Sequence, residues 1–108
     1  MKNESGLKPL GRAVLVQPYE PDLKGGMIEI PDFVKAKQQS IEQRAIVIEA
    51  GPSAWDGEPV PRAKPGDKVL LSGFAGYMAT GTADNKQYRF VNDRDIFAQI
   101  EVENNGSE

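Results

Sequence analysis

The chain contains six short runs of β-branched, aromatic and other apolar residues, and turn-forming residues separate them. These runs cover residues 13–16, 44–50, 68–71, 77–80, 87–91 and 96–102. Short apolar runs bounded by Gly, Pro, Asn and Asp are typical of β-strands, and the 11 glycines and 8 prolines fit frequent turns. The pattern predicts an all-β fold, a small, irregular and partly open β-barrel, in a single domain over residues 1–108.

Local patterns predict which strands are buried and where they end. Residues 13–16 are apolar throughout, which predicts a strand buried on both faces, and Pro18 ends it because proline cannot donate to a ladder. Residues 87–91 alternate polar and apolar side chains, as a half-buried strand does. Pro65 and Gly66 fit the central positions of a type II turn, which requires a positive φ at the glycine.

The segment at residues 51–65 is less regular than its neighbours. It contains Trp55 and an Asp56-Gly57 turn signal, but the residues on either side do not alternate in polarity. Asp-Gly is a strong hairpin signal only between alternating apolar residues. The segment is therefore predicted to be a short, imperfect hairpin or an Ω-like excursion.

The remaining polar segments are interpreted as turns and chain ends. Asp93 and Asp95 are assigned to turn capping and not to a metal pair, because no other ligands cluster near them in sequence. Residues 1–6 are polar and are predicted to be frayed, and residues 103–108 are predicted to be a disordered tail.

Residues 17–43 form the longest interval between two predicted strands, too long for an ordinary hairpin connection. Three prolines remove backbone donors there, and Gly-Gly at 25–26 adds conformational freedom. An apolar run of Met27, Ile28 and Ile30 follows the glycines. This run is interpreted either as a short strand docked on the core or as the tip of a mobile loop that binds another protein.

Composition excludes several classes of function. Without cysteine or histidine the chain has no disulfide framework, thiol nucleophile or imidazole base, and most zinc sites are excluded, so only Asp, Glu, Lys, Tyr and hydroxyl side chains remain for catalysis. No acid–base pair among these has a spacing that indicates a site, and we expect no catalytic, cofactor or metal site. The formal net charge of −3 argues against a nucleic-acid-binding surface. No apolar run approaches bilayer length and no charged leader precedes one, so we expect a cytoplasmic protein without membrane contact.

Several motifs stand in a distinctive order along the chain. They are Lys8-Pro9-Leu10 before a Val-Leu-Val strand, Gly25-Gly26 before an apolar run, Pro65-Gly66-Asp67-Lys68-Val69-Leu70, Phe74-Ala75-Gly76 and Tyr88-Arg89-Phe90-Val91-Asn92-Asp93-Arg94-Asp95-Ile96-Phe97-Ala98. Each motif alone is weak. Together and in sequence, from Leu7 to Val102, they resemble the GroES-type co-chaperonins.

The resemblance implies a co-chaperonin that assembles with itself into a seven-membered ring. That ring caps a GroEL-type chaperonin in its nucleotide-bound state and encloses a folding chamber for client proteins. ATP is bound by the chaperonin and not by this chain. Residues 17–43 correspond to the family's mobile loop, and the implied chaperonin-binding residues are Gly25, Gly26, Met27, Ile28, Glu29, Ile30 and Pro31.

The resemblance also implies a subunit interface and a dome cavity. In this family the last strand pairs with the first strand of a neighbouring subunit. The implied interface residues are Leu10, Val14, Val16, Ile96, Phe97, Ile100 and Val102. Trp55 and Phe74 correspond to the roof and cavity of the dome, with a partly buried turn aromatic and a core residue as the alternative interpretations.

The sequence departs from the family pattern in several places, among them a loop that is longer on its C-terminal side and Gly11-Arg12-Ala13, which lacks the usual acidic-basic pair. Four residues, one of them charged, separate the Gly-Gly pair from the next proline. The chaperonin contact is therefore made either by Met27 with Ile28 or by Ile28 with Ile30, with Glu29 turned to solvent. Residues 51–65 are shorter than the family's roof hairpin, which implies a more open dome. These departures indicate a divergent member, and a virus-encoded chain is one interpretation.

Three other functions are alternatives to this one. A barrel that binds single-stranded nucleic acid needs a basic groove with stacking aromatics, which the acidic composition disfavours. An enzyme that uses carboxylates or tyrosine is disfavoured, because no acid–base pair in this sequence has a spacing that indicates an active site. A small oligomeric binding protein or viral structural protein would share the barrel but have no chaperonin partner, so chaperonin binding separates it from the co-chaperonin.

Overall fold

The structure, a computed structural model, describes residues 2–20 and 42–103. Within these residues the chain forms β1 (Ala13–Pro18), β2 (Arg44–Ala50), β3 (Lys68–Leu71), β4 (Tyr77–Thr80), β5 (Gln87–Asn92), a 3₁₀-helix (Asp93–Asp95) and β6 (Ile96–Gln99). The all-β prediction is confirmed. The predicted bounds of β2, β3 and β4 match the observed ones, and β5 extends one residue further than predicted.

All six strands lie in one antiparallel sheet with the order β4-β5-β1-β2-β3-β6. β1 is central and pairs with β2 on one side and with β5 on the other. The register shifts between Leu15 and Val16 in the first pair and between Leu70 and Leu71 in the β3–β6 pair, and such irregularities bend a sheet. Within the described chain β4 and β6 each pair on one side only, so the sheet is unclosed, consistent with a partly open barrel.

Burial of β1 on both faces explains why its sequence is apolar throughout. Val14 and Val16 join one core cluster, whereas Leu15, between them, joins a second cluster with Ile48 and Tyr88. These three side chains of β1 are fully shielded from solvent. Successive side chains of a strand point to opposite faces, so a strand covered on both sides carries no polar alternation. The predicted double burial is confirmed.

The turn before β3 follows its sequence signature. Gly66 has a φ of +97°, and the Asp67 amide donates to the Lys64 carbonyl over 3.0 Å. The Asp67 carboxylate in turn accepts a hydrogen bond from the Lys64 amide at 3.0 Å. The positive φ predicted for Gly66 is confirmed.

Residues 51–64 form no strand, so the hairpin interpretation is wrong and the Ω-like one is supported. The amide of Gly51 donates to the Ala13 carbonyl at 2.7 Å, and the amide of Gly66 donates to the Val47 carbonyl at 2.8 Å. Both ends of the segment are therefore tied to neighbouring strands of the sheet. Asp56 and Gly57 make a turn but lack paired strands on either side.

β6 ends at Gln99, three residues earlier than predicted. Its only partner in the described chain is β3, which begins at Lys68. The Ile100 amide still donates to the Lys68 carbonyl at 2.8 Å, and beyond it no residue of β3 remains to pair with. The apolar pattern at 100–102 is therefore not matched by a ladder within the chain.

The N-terminal residues pack on the sheet, so the predicted fraying over residues 1–6 is wrong for the described part. Asn3 donates to the Glu49 carboxylate at 2.6 Å, and the Ser5 carbonyl accepts from the Ala83 amide at 2.8 Å. Ser5 is fully buried, and its hydroxyl lies 2.7 Å from the Asn3 side-chain oxygen. These polar side chains satisfy one another and the adjacent strands.

Candidate interaction surfaces

The predicted chaperonin-binding residues from Gly25 to Pro31 lie outside the described residues, but both roots of their segment are described. Tyr19 follows β1, and its amide donates to the carbonyl of Arg44, the first residue of β2, at 3.0 Å. Pro18 stands opposite Ala45 in the sheet. The intervening chain therefore leaves and rejoins the barrel at one place.

Five polar side chains gather at these roots, and we call them the root cluster. They are Tyr19, Glu42, Arg44, Lys68 and Glu103. The Tyr19 hydroxyl donates to one Glu103 carboxylate oxygen at 2.6 Å, and the Lys68 ammonium lies 3.2 Å from the other. The Arg44 guanidinium lies over the Tyr19 ring, 4.9 Å from its centre, and donates twice to Glu42 at 2.8 Å. The cluster joins four segments distant in sequence.

The electrostatics of the root cluster favour its charged and hydrogen-bonded form. Burial, together with the hydrogen bond to Glu103, raises the pKa of Tyr19 to about 12. The hydrogen bond from Tyr19, followed by that from Lys68, lowers the pKa of Glu103. The hydrogen bond from Arg44 likewise lowers the pKa of Glu42. At neutral pH both carboxylates are ionised and the tyrosine hydroxyl is a donor.

The sequence places Glu103 at the start of a disordered tail, whereas the structure bonds its carboxylate on two sides. The polar composition of the tail does not indicate these two hydrogen bonds, because the partners of Glu103, Tyr19 and Lys68, lie far away in the sequence. Residues 104–108 of the predicted tail lie outside the described residues.

Three of the predicted interface residues are exposed on the barrel surface. Leu10 is 72% exposed, Phe97 70% and Val102 89%, and Ile100 is half-buried. Phe97 lies on β6, whose outer edge has no partner strand within the described chain. These residues are available to a neighbouring molecule.

The other predicted interface residues belong to the core. Val14 and Val16 are fully buried and Ile96 is nearly so. Val14 and Val16 lie on β1, which is paired with β2 and β5 along its two edges, so they have no free strand edge to offer a neighbouring subunit, whereas Ile96 lies on the edge strand β6. Among residues 10–16, only Leu10 presents an exposed apolar side chain.

Trp55 is a core residue of the Ω-like segment. Its side chain is 4% exposed, its indole nitrogen donates to the Asp93 carbonyl at 2.9 Å, and its amide donates to the Asp93 carboxylate at 2.7 Å. Arg12 lies 3.2 Å from the same carboxylate. Burial alone would raise the pKa of Asp93, but the Trp55 amide and Arg12 hold it below its usual value. The roof role of Trp55 stays a prediction.

Phe74 stands on the surface, not in the core. It follows β3 with a φ of +58°, and it is 78% exposed. The core alternative is therefore wrong, while a role in lining a cavity stays a prediction.

A groove of about 390 Å³, which sequence reasoning missed, runs between the N-terminal segment and the β4–β5 pair. Its lining includes Leu10, Tyr77 and Phe90, and the last two rings have their centres 5.8 Å apart. These residues are far apart in the chain, and no local pattern links them.

The described residues contain no group of three or more His, Cys, Asp or Glu side chains arranged to hold a metal ion. Among the same residues, no helix is both long and apolar enough to cross a membrane.

The amino-acid sequence matches a known protein family over most of its length. Residues 6–100 match the model of the chaperonin 10 kDa subunit. The chain belongs to this family. The chain is 38% identical to the co-chaperonin GroES of Brevibacillus choshinensis over 96 residues, 87% of this chain and 98% of the relative. It is 39% identical to that of Methylacidiphilum infernorum over 103 residues, 91% and 97% of the two chains.

A third relative, the co-chaperonin GroES of Coprothermobacter proteolyticus, is 35% identical over 101 residues, 91% of this chain and 98% of the relative. The resemblance stated from the motifs is confirmed. This chaperonin 10 family member is a co-chaperonin, and its all-β fold accords with that assignment.

Proposed function

We propose that this co-chaperonin assembles into a seven-membered ring that caps a GroEL-type chaperonin in its nucleotide-bound state. The contact is made by Gly25, Gly26, Met27, Ile28, Glu29, Ile30 and Pro31. The ring then encloses a chamber in which client proteins fold. ATP binds to the chaperonin and not to this chain, and the complex forms in the cytoplasm.

The observation that carries this proposal is the meeting of the two segment roots in a chain of this family. Tyr19 and Arg44 are joined by a backbone hydrogen bond of 3.0 Å, so residues 21–41 connect two adjacent strands that need no such length of chain. Adjacent antiparallel strands are commonly joined by two to five residues. This additional length of chain carries the apolar run of Met27, Ile28 and Ile30, which supports a role in binding a partner.

Energetics favour a weak contact from each subunit. Burying Met27, Ile28 and Ile30 returns about 1.5–3 kcal/mol each. Fixing a backbone residue costs about 1–2 kcal/mol, so ordering half of the segment costs about 10 kcal/mol or more, which exceeds that gain and keeps the contact of a single subunit weak. A ring turns such contacts into avidity, because later subunits bind at high effective concentration. Release follows when nucleotide turnover shifts the chaperonin to a state without the groove.

Exposed apolar residues support the assembly. Phe97 and Val102 offer apolar surface on β6 and just after it, and Leu10 offers apolar surface at the groove beside the β4–β5 pair. An unpaired edge is a template for another chain, so we propose that β6 and the residues after it contact the neighbouring subunit near Leu10. Phe74 then faces the cavity of the dome, and the Ω-like segment forms its roof. Trp55 is buried and contributes to the roof by holding that segment in place.

Replacing Ile28 with aspartate tests the chaperonin contact. We expect Ile28→Asp to abolish ATP-dependent co-sedimentation with a GroEL-type ring, because a charge cannot enter an apolar groove without a large desolvation cost. Sedimentation velocity of the variant alone should still give the ring.

Val60→Asp is the matched control, since Val60 is an exposed apolar residue of the Ω-like segment and receives the same change. It should bind like the wild type. Wild-type binding by Ile28→Asp would contradict the assignment of the contact residues, and wild-type failure to bind would contradict the proposed function.

A further inference from the structure

The root cluster joins the end of the described chain to both roots of the segment at residues 21–41. One carboxylate oxygen of Glu103 accepts a hydrogen bond from the Tyr19 hydroxyl at 2.6 Å, and the other accepts one from the Lys68 ammonium at 3.2 Å. The Ile100 amide donates to the Lys68 carbonyl at 2.8 Å, which fixes the chain between β6 and Glu103 on the start of β3.

From Tyr19 the network continues into the second root. The Tyr19 amide donates to Arg44, and the Arg44 guanidinium covers the Tyr19 ring while holding Glu42 with two hydrogen bonds. Formal charges balance within the cluster, because Glu42 and Glu103 face Arg44 and Lys68. Charge-assisted hydrogen bonds of this kind are stronger than neutral ones.

We propose that Glu103 is a latch that couples the placement of residues 100–103 to the placement of both roots. Any change that displaces Glu103 removes the acceptor of the Tyr19 hydroxyl, and any change that displaces Tyr19 removes one of the two hydrogen bonds that hold the Glu103 carboxylate. Such coupling is reciprocal, because a linkage free energy acts equally on both sites.

The use of this latch rests on the proposed function. If residues 97–102 contact a neighbouring subunit, assembly also fixes Glu103 and thereby the roots. Fixed roots reduce the number of residues that chaperonin binding has to order. Glu103, Tyr19 and Lys68 are therefore positioning residues and do not themselves touch the chaperonin.

Two backbone amides report the coupling in the purified chain without any partner. The Tyr19 amide is bonded to Arg44, and the Ile100 amide is bonded to Lys68, on the far side of the Tyr19–Glu103 bond. We expect Glu103→Gln to speed hydrogen exchange at the Tyr19 amide by about three- to tenfold. We expect Tyr19→Phe to speed exchange at the Ile100 amide by a similar factor.

A second tyrosine–carboxylate pair supplies the matched controls. The Tyr88 hydroxyl donates to Asp84, in the turn between β4 and β5, and neither residue belongs to the root cluster. Tyr88→Phe and Asp84→Asn make the same chemical changes and should leave exchange at the Tyr19 and Ile100 amides unchanged. If the Tyr19 and Glu103 substitutions speed exchange only in their own segments, the latch is overturned.

Chaperonin binding separates this inference from the function on which it rests. With a GroEL-type ring and ATP, Glu103→Gln should bind several-fold more weakly than the wild type, and Asp84→Asn should not. Reciprocal exchange with unchanged affinity would overturn the role of the latch in binding. Failure of the wild type to bind would overturn the proposed function and leave the exchange result standing.

Discussion

Asp93 carries a buried carboxylate that ties the Ω-like segment to the barrel. Its Oδ2 oxygen accepts from both the Trp55 amide and Arg12, and its backbone carbonyl accepts from the Trp55 indole. Trp55 itself has a φ of +61°, a costly conformation for a non-glycine residue. The hydrogen bonds from both of its nitrogens compensate for that cost. Asp93 is therefore a structural residue that bonds distant parts of the chain, whereas Asp95 caps the turn as predicted by accepting from the Asn92 amide at 2.9 Å.

Replacing Asp93 with asparagine should destabilise the chain by about 1–3 kcal/mol at neutral pH, because a charged acceptor is lost. The folded-state pKa of Asp93 lies below its unfolded value, so its contribution is present above that unfolded value. It is lost as the pH falls through the lower folded-state pKa. Urea unfolding from pH 7 down to about pH 3 should show the difference between wild type and variant shrinking.

The control for this experiment is Arg12→Gln, which removes only a half-exposed partner of the same carboxylate. It should cost less than about 1 kcal/mol. A difference for Asp93→Asn that stays constant with pH would mean that shape, and not charge, carries the effect.

Among the elements, the turn into β4 depends on the absence of a side chain at Gly76. Gly76 has a φ of +64°, and a Cβ there would overlap the Phe90 carbonyl of the adjacent strand β5. Gly66, before β3, also has a positive φ but has open space around it. The two glycines therefore separate conformational strain from steric overlap.

We expect Gly66→Ala to cost about 1–2 kcal/mol from conformation alone. Gly76→Ala adds the overlap and should exceed about 4 kcal/mol, the range of exceptional single substitutions. Urea unfolding midpoints measure both. Equal costs would show that the backbone near Phe90 yields easily and that the close approach has little energetic weight.

Strand positions followed from the sequence because each strand is a local pattern closed by Gly or Pro, as β2, β3 and β4 illustrate. The sequence pattern predicts too long a β6, because the length of this strand depends on where its partner β3 begins. No residue of β6 encodes that position. Ser5 and Trp55 were placed less well for the same reason. Their burial depends on partners more than 30 residues away, such as Ala83 and Asp93.

In the whole molecule, the motif order was sufficient for the family but not for the surfaces. Leu10 and Phe97 are exposed, as an interface requires. Val14 and Val16 are buried in the core, because β1 lies in the centre of the sheet. The root cluster was not predicted, because Glu103 lies 84 residues from Tyr19 and each is unremarkable in its own segment. Non-local placement of polar side chains is what the sequence pattern does not encode.

Amide hydrogen exchange across residues 20–40 tests the central claim most directly. The measurement compares the chain alone with the chain bound to a GroEL-type ring in the presence of ATP. The proposed contact predicts rapid exchange in the free chain and strong protection around Ile28 in the complex. Exchange around Ile28 that is the same in both states, while the proteins are bound, would contradict it.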